Sequence, residues 1–189
     1  MVCGMDVYDF DGTLYEGDST RDFLVHCLCR YPRIAMTLPR TGVAALGCFG
    51  LHAIDKTAFK KALYRFLPHI PDIEREVRRF WATHEERIAG PCAPQPGDLV
   101  ISASPEFLLA DVCARRSLDL IASHVDPHTG ACLGPNCSGS QKVVRLNERY
   151  PEAHIDRFFS DSRNDDPLAA LADEAYLVQS GKLVPWPGK

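Results

Sequence analysis

The sequence lacks several features that would place it outside the ordinary globular enzymes. It has no internal repeat and no block of five or more like charges, and its formal net charge is -4. These absences argue against a nucleic-acid-binding tail and against a polybasic membrane anchor. With 189 residues, 46% of them hydrophobic and 24% charged, we expect one domain, or one domain with a sizeable insert, that binds small molecules. No pattern indicates an oligomeric state.

The N-terminus lacks a basic leader, and the cysteines lack the spacing of a disulfide or zinc framework. Asp6 precedes any apolar run, so we expect no signal peptide. The eight cysteines form no Cys-x-x-Cys pair, which favours reduced thiols. His124, His128, Cys132 and Cys137 fit no familiar zinc-finger spacing. Together these patterns predict a cytoplasmic protein.

No apolar stretch is long enough to cross a bilayer, which takes about 20 residues. The most apolar one covers residues 41–54 and has Arg40 just before it. A buried helix is the favoured interpretation of this stretch, and an interfacial helix in contact with lipid is the alternative.

The order of sequence patterns predicts an α/β fold. A strand-like run at residues 5–10 ends in Asp-Gly-Thr, and apolar residues at helical spacing then occupy residues 19–89, broken by four prolines into about four helices. The proline-rich run 90–97 ends this helical block. Strands are then predicted at 98–101, 118–123, 155–160 and 175–178, a hairpin at 124–137, and helices at 105–116, 141–149 and 167–172.

Because strands and helices alternate after the helical block, we expect a parallel sheet with helices on both faces and right-handed crossovers. The helical block is then an insert after the first strand. This interpretation divides the chain into a core of residues 1–15 and 96–189 and a helical insert of residues 16–95.

Two acidic clusters follow predicted strands. Asp9 and Asp11 come at the end of the first strand, where alternate side chains share a face roughly 6.6–7 Å apart. Asp161 and Asp165 follow the strand at 155–160, and the carboxyl ends of parallel strands lie along one edge. Such clusters indicate a Mg²⁺ site, because the acids would otherwise repel each other. An Asp-Gly turn and a helix cap before Pro167 are the alternatives.

Two further positions favour an anionic ligand. Ser102 follows the strand at 98–101 and is not easily explained as a helix cap, so it is a candidate phosphate ligand. Ser104, directly before Pro105, is interpreted as a plain N-cap. Lys142 stands at the start of a predicted helix, where the helix dipole disfavours a cation, so it either binds an anion or is solvated.

Taken in order, these motifs resemble those of the haloacid-dehalogenase-like (HAD) superfamily, and specifically its phosphoserine-phosphatase-like branch. The matching residues are Asp9-Phe-Asp11-Gly-Thr13, Ser102, Lys142, and Asp161 with Asp165. The resemblance spans the whole chain, and the helical insert corresponds to the cap domain of that branch. It implies a HAD-like Rossmannoid sheet with a helical cap after the first strand.

The resemblance also implies a mechanism and a set of roles. Asp9 would attack the phosphorus of a small phosphorylated substrate and form an aspartyl-phosphate, and Asp11 would act as general acid and then general base. Mg²⁺ would be held by Asp9, the Asp11 main-chain carbonyl and Asp161, while Asp165 would orient Lys142 or belong to the metal shell. The phosphate-binding residues would be Ser102, Lys142, Gly12 and Ala103.

The substrate is less well indicated. Asp18 occupies the position of a glutamate that recognises the substrate amine in phosphoserine phosphatases, although it could also cap the helix that begins near Ser19. Arg33, Arg40 and Lys56 could face the pocket, but a solvated position is the favoured interpretation of each. The leading hypothesis is a magnesium-dependent phosphatase of a small metabolite. The alternatives are a lipid-phosphate phosphatase, suggested by residues 41–54, and a phosphate-binding or regulatory module without turnover.

Overall fold

A six-stranded sheet forms the centre of the protein, for which a computed structural model describes residues 4–37, 39, 60 and 62–188. The spatial order of the strands is β3-β2-β1-β4-β5-β6. All neighbouring strands are parallel except β5 and β6, which are antiparallel. The strands are β1 (Met5–Tyr8), β2 (Leu99–Pro105), β3 (Asp119–Ser123), β4 (Ile155–Ser160), β5 (Ala172–Gln179) and β6 (Lys182–Pro185).

Helices cover both faces of this sheet. The described α-helices are α1 (Ser19–Arg30), α2 (Ile73–His84), α3 (Glu106–Arg115), α4 (Ser140–Arg149) and α5 (Asp166–Ala169). Between α1 and α2, the structure also contains the 3-10 helices Pro32–Thr37 and Tyr64–His69. The predicted α/β architecture, a mostly parallel sheet between two helical layers, is confirmed.

Two hydrophobic clusters hold the layers together. Side chains alternate across the central strands, so Val7 and Phe158 point into one cluster while their neighbours Tyr8 and Phe159 point into the other. The cluster with Tyr8 includes buried residues of α1, α2 and α3, and the cluster with Val7 includes residues of α4 and α5. The helical insert is therefore packed on one face of the sheet.

Several element boundaries differ from the sequence prediction. Strand β4 has the predicted bounds, but β2 continues through Pro105, so helix α3 begins one residue later than expected. Strand β6 was not predicted. It follows a turn in which Ser180 has φ 49° and Gly181 has φ 72°, and a Ser-Gly pair with positive φ is a recognised hairpin signal.

The described part of the helical insert contains helices and no strand, in agreement with the prediction for that part. The apolar stretch 41–54 lies outside the described residues, as do Arg40 and Lys56. Within the ranges that the structure covers, no helix combines the length and the apolar character that crossing a membrane requires.

Candidate active site

The predicted motifs meet at the carboxyl edge of the sheet, around a cavity of about 570 Å³. The main chain of Asp9 continues the sheet for one residue beyond β1, because its amide donates to the carbonyl of Phe159 at 2.8 Å. The end of β2, the loop after β4 and the start of α1 contribute to the walls. Among the residues that line the cavity are Asp9, Asp11, Asp18, Thr20, Arg21, Lys60, Ala103, Ser104, Asn136, Lys142, Asp161 and Asp165.

Two contacts of the Asp9 carboxylate involve the same oxygen atom, Oδ1. Its Oδ1 accepts the Phe10 amide at 2.8 Å and lies 2.9 Å from Lys142 Nζ. Burial raises the pKa of Asp9, the Lys142 ammonium opposes this rise, and the Asp165 carboxylate adds to it. Since both contacts fall on Oδ1, Oδ2 is the oxygen that can face a ligand.

Lys142 lies between two acids. Its side chain is only 2% exposed, and its Nζ donates to Asp165 Oδ2 at 2.6 Å and contacts Asp9 at 2.9 Å. Burial alone would lower the pKa of this lysine, but the charges of Asp9 and Asp165 outweigh it and the pKa is raised. Lys142 is in the first turn of α4 and buried, so the solvated alternative is wrong.

Asp165 accepts a hydrogen bond from the Lys142 ammonium. It is 3% exposed, and its Oδ2 also accepts the Ser160 hydroxyl at 2.9 Å. Although it stands at the N-cap position of α5, it makes no side-chain capping bond there. Of the two roles implied for Asp165, the geometry supports orientation of Lys142.

Asp11 is held through both carboxylate oxygens. Oδ1 accepts the Ser19 amide at 2.7 Å, and Oδ2 accepts the Ser104 hydroxyl at 2.5 Å. Burial, reinforced by the negative charge of Asp18, raises the pKa of Asp11 to about 6. A carboxyl group with such a pKa can give and take protons near neutral pH.

Asp161 lies against the loop that carries Asp11. Gly12 has φ +74°, and a Cβ built there would be only 2.1 Å from Asp161 Oδ2. Burial, followed by the charge of Asp9, raises the pKa of Asp161 to about 6. Because Asp161 and Asp9 destabilise each other's charge and offer only oxygen atoms, this side of the cavity fits a hard divalent cation.

Three charged residues of the helical insert line the same cavity. Asp18 caps α1, since its Oδ1 accepts the Arg21 amide at 2.8 Å, and it also reaches the cavity. Lys60 Nζ donates to Asn136 Oδ1 at 2.6 Å and to the Ala103 carbonyl. Burial lowers the pKa of Lys60, against the opposing charges of Asp11 and Asp18. The insert therefore supplies both signs of charge to the wall of the cavity.

Two of the expected phosphate contacts differ from the prediction. The Gly12 amide donates to the carbonyls of Tyr15 and Gly17, both at 2.9 Å, so its hydrogen is already used within the loop. Ser102 is fully buried, and its hydroxyl accepts the Ser104 amide at 3.0 Å. It is not among the cavity-lining residues, whereas Ala103 is.

The interpretation of Ser104 as an N-cap is wrong. Pro105 occupies the N-cap position of α3, and no side chain caps that helix. The pairing of β2 with β3 shifts register between Ser102 and Pro105, so Ala103 and Ser104 leave the ladder and reach the cavity. Such irregularities redirect side chains at the ends of strands, and no pattern in the sequence marks this one.

Lys60 and Asn136 were also missed by sequence reasoning. Lys60 is 43 residues from Ala103 and 76 residues from Asn136 along the chain. Contacts between such distant residues depend on how the insert folds over the sheet. Arg33, in contrast, is exposed as expected.

A separate acidic group lies at the opposite edge of the sheet. In the described parts of the chain, His154, Asp156 and Asp173 have ligand atoms within 4.8 Å of one another, and all three are exposed. They stand at the beginnings of β4 and β5, whereas Asp9 and Asp161 follow the ends of β1 and β4. This group is therefore distinct from the cavity with Asp9.

Comparisons with known proteins agree with this geometry. A family model described as haloacid dehalogenase-like hydrolase matches residues 7–170. No curated protein gives a significant match. Among solved structures, the chain resembles a protein of unknown function from Bordetella pertussis Tohama I, with a TM-score of 0.72 and 18% identity over 100% of this chain and 93% of that one.

Two other solved structures share the fold. One is a phosphoserine phosphohydrolase-like protein from Francisella tularensis subsp. tularensis SCHU S4, with a TM-score of 0.52 and 14% identity over 92% of this chain and 86% of that one. The other is a phosphoserine phosphatase with an analogue of its phospho-aspartyl intermediate, with a TM-score of 0.52 and 14% identity over 93% of this chain and 86% of that one.

Proposed function

Because the chain belongs to the haloacid dehalogenase-like hydrolase family, we propose that it is a magnesium-dependent phosphatase of a small phosphorylated metabolite. The proposal depends above all on one observation. Asp9 faces the cavity with one oxygen fixed by the Phe10 amide and Lys142, while Asp11 stands two residues further along the same loop. A nucleophile beside an acid–base group is the arrangement that covalent hydrolysis requires.

In the first step, Asp9 Oδ2 attacks the phosphorus of the monoester. The new bond joins this oxygen to phosphorus, the bond from phosphorus to the leaving oxygen breaks, and Asp11 gives that oxygen a proton. In the second step, water gives its proton to Asp11 and displaces the aspartate, which releases phosphate and restores both side chains. The pKa of about 6 for Asp11 suits both proton transfers.

Lys142 limits the repulsion between the anionic nucleophile and the anionic phosphate. Its ammonium group contacts Asp9 and also donates to Asp165, whose carboxylate accepts the Ser160 hydroxyl. Preorganised positive charge in a buried site stabilises the charge that develops during phosphoryl transfer. Ala103 and Ser102, near the end of β2, remain the proposed phosphate contacts on the opposite side; Ser102 Oγ accepts the Ser104 amide, and its hydroxyl hydrogen can still be donated to a phosphate oxygen.

A divalent cation such as Mg²⁺ fits the acidic side of the cavity. Asp9, the main-chain carbonyl of Asp11 and Asp161 would hold it, and it would supply charge neutralisation between the nucleophile and the phosphate. The mutual destabilisation of Asp9 and Asp161 supports this assignment.

The cavity supports a small, polar leaving group. Asp18, Arg21 and Lys60 border it from the insert, and such a pair of charge signs suits a metabolite with ionic or hydrogen-bonding groups. The lipid-phosphate alternative concerned residues 41–54, which lie outside the described ranges. We also propose a cytoplasmic location, because the spacing of the eight cysteines in the sequence, with no Cys-x-x-Cys pair, favours reduced thiols.

The test is a panel of phosphorylated metabolites, including O-phosphoserine, assayed for phosphate release with Mg²⁺ and again with a chelator. We expect release that stops with chelator and that falls at least about a thousandfold in Asp9→Asn, since the nucleophile is lost. The matched control is Asp6→Asn. Asp6 lies near the start of β1, whereas Asp9 follows the end of this strand, and Asp6 pairs with Arg157. Turnover of this variant should therefore stay close to that of wild type.

Wild-type turnover in Asp9→Asn would contradict the assignment of the nucleophile. Binding of phosphate analogues without hydrolysis of any compound in the panel would instead favour the regulatory alternative.

A further inference from the structure

A cluster of three buried hydroxyl groups joins the insert to the sheet beside Asp11. Ser19 and Thr20 open helix α1, and Ser104 lies near the end of β2. Ser104 Oγ lies 3.2 Å from Ser19 Oγ and 2.9 Å from Thr20 Oγ1. The three residues are 0%, 8% and 3% exposed, in the order Ser19, Thr20 and Ser104. Their burial distinguishes these three hydroxyl groups from polar side chains on a solvated surface.

The number of available protons fixes the direction of these hydrogen bonds. A hydroxyl group has one hydrogen to donate, and an ionised carboxylate can only accept. Ser104 therefore donates its hydrogen to Asp11 Oδ2. In its contacts with Ser19 and Thr20, Ser104 Oγ is then the acceptor. The chain of bonds runs from the insert, through Ser104, to Asp11.

The two oxygens of Asp11 are thus held by different parts of the protein. Oδ1 accepts the Ser19 amide, which belongs to the first turn of α1 in the insert. Oδ2 accepts Ser104, which belongs to the core. This pair of bonds fixes the plane of the carboxylate relative to the cavity, and each oxygen keeps a second lone-pair position for other partners.

We propose that Ser104 is a positioning residue for Asp11, and that it orients the carboxyl group toward the leaving oxygen. This inference rests on the proposed function. The hydrogen bonds of the Ser104 side chain go to Ser19, Thr20 and Asp11 and not to Asp9 or Lys142, and its main-chain bond to the proposed phosphate contact Ser102 does not depend on the side chain. Its loss should therefore affect the proton donated to the leaving group more than the attack on phosphorus.

The test compares two leaving groups in Ser104→Ala. An alkoxide, as in the best alkyl phosphate of the metabolite panel, needs a proton to depart, whereas the p-nitrophenolate ion departs without one. The value of kcat/KM reports the steps up to the first phosphoryl transfer. We expect kcat/KM to fall about tenfold or more for the alkyl phosphate and clearly less for p-nitrophenyl phosphate, because general acid catalysis contributes roughly 10²–10⁴-fold.

Ser123→Ala is the matched control. Ser123 ends the neighbouring strand β3 and is 4% exposed, and its hydroxyl lies within hydrogen-bond distance of the Ala103 carbonyl and Asn136 Oδ1 rather than of Asp11. Its substitution removes a similarly buried hydroxyl, so any loss should be the same for both substrates. Ser104→Thr keeps the hydroxyl and should restore the wild-type ratio between the substrates.

Thr20→Val is a second variant that does not depend on the folding of Ser104→Ala. It removes one of the donors to Ser104 at nearly constant volume, and we expect a smaller change of the ratio in the same direction. Equal losses for the two substrates in these variants would overturn the role of Ser104. If the wild-type enzyme nevertheless hydrolyses both substrates, the proposed function is unaffected by that result. A wild-type protein that hydrolyses neither would overturn the proposed function, and the inference with it.

Discussion

Replacement of Lys142 by methionine should strongly destabilise the protein, because it removes the cation that lies between the carboxylates of Asp9 and Asp165. Lys142 Nζ lies 2.9 Å from Asp9 and 2.6 Å from Asp165. Methionine is similar in length and fills most of the space, so the change tests the charge more than the packing. Without the ammonium, both acids must lose their charge or remain buried without compensation.

The magnitude follows from opposing terms. At an effective dielectric constant of 20, each contact contributes about 6 kcal/mol of attraction. Desolvation of the three charges offsets several kcal/mol per ion, and the removal of one partner from a buried pair typically costs about 3–5 kcal/mol. We expect the free energy of unfolding to fall by about 3–5 kcal/mol at pH 7.5.

The loss should shrink as the pH falls. In the folded variant the ammonium no longer opposes the effect of burial on Asp9, so the pKa of Asp9 rises further and the folded state binds this proton more tightly than the unfolded state. Stability therefore increases as Asp9 becomes protonated. The difference from wild type should be smaller at pH 5 than at pH 7.5.

The assay is urea unfolding, followed by the fluorescence of Trp81 and Trp186, both buried. Lys182→Met, at an exposed position of β6, is the control. In the double variant Lys142→Met with Asp165→Asn, about 2 kcal/mol should be recovered, since residues in contact are not additive. If Lys142→Met lowers the free energy of unfolding by less than about 1 kcal/mol, and this loss simply adds to that of Asp165→Asn in the double variant, the account is refuted.

Two further predictions concern the acidic side of the cavity. Burial raises the pKa values of Asp11 and Asp161 from 3.8 to about 6, so without metal the stability should fall as the pH rises through this interval, and Mg²⁺ should raise Tm more at pH 7.5 than at pH 5. An equal rise of Tm at both pH values would contradict the prediction for Mg²⁺. Gly12→Ala should push Asp161 aside and raise the Mg²⁺ concentration for half-maximal activity by about tenfold or more. Gly97→Ala is the control, since φ there is +93° but no described atom lies within 4 Å of a Cβ built at that position, and equal effects of the two changes would refute the role of the close contact.

The sequence was sufficient to predict the fold and the meeting of the acids, because both follow from local patterns. Asp9 and Asp161 each come directly after an apolar strand, and parallel topology brings such positions together. The resemblance to the HAD superfamily is confirmed by the family match. The roles of the individual residues, and the boundary of the insert at residues 16–95, stay predictions.

The details that the sequence could not predict depend on irregular backbone and distant contacts. Ser104 reaches Asp11 because β2 leaves its ladder before Pro105, and an ordinary serine before proline gives no sign of this. The Gly12 amide is used by its own loop, which the Asp-Gly-Thr pattern does not reveal. Lys60 meets Asn136 only after the insert has packed on the sheet.

The most direct test of the central claim is to locate the phosphoryl group on the enzyme during turnover. Wild-type protein is mixed with the best substrate and Mg²⁺, quenched in acid, reduced with borohydride and digested for mass spectrometry. Borohydride converts an aspartyl-phosphate to homoserine, so we predict homoserine at position 9. Unmodified Asp9 in an enzyme that was turning over, or a phosphoryl group on another side chain, would contradict the account.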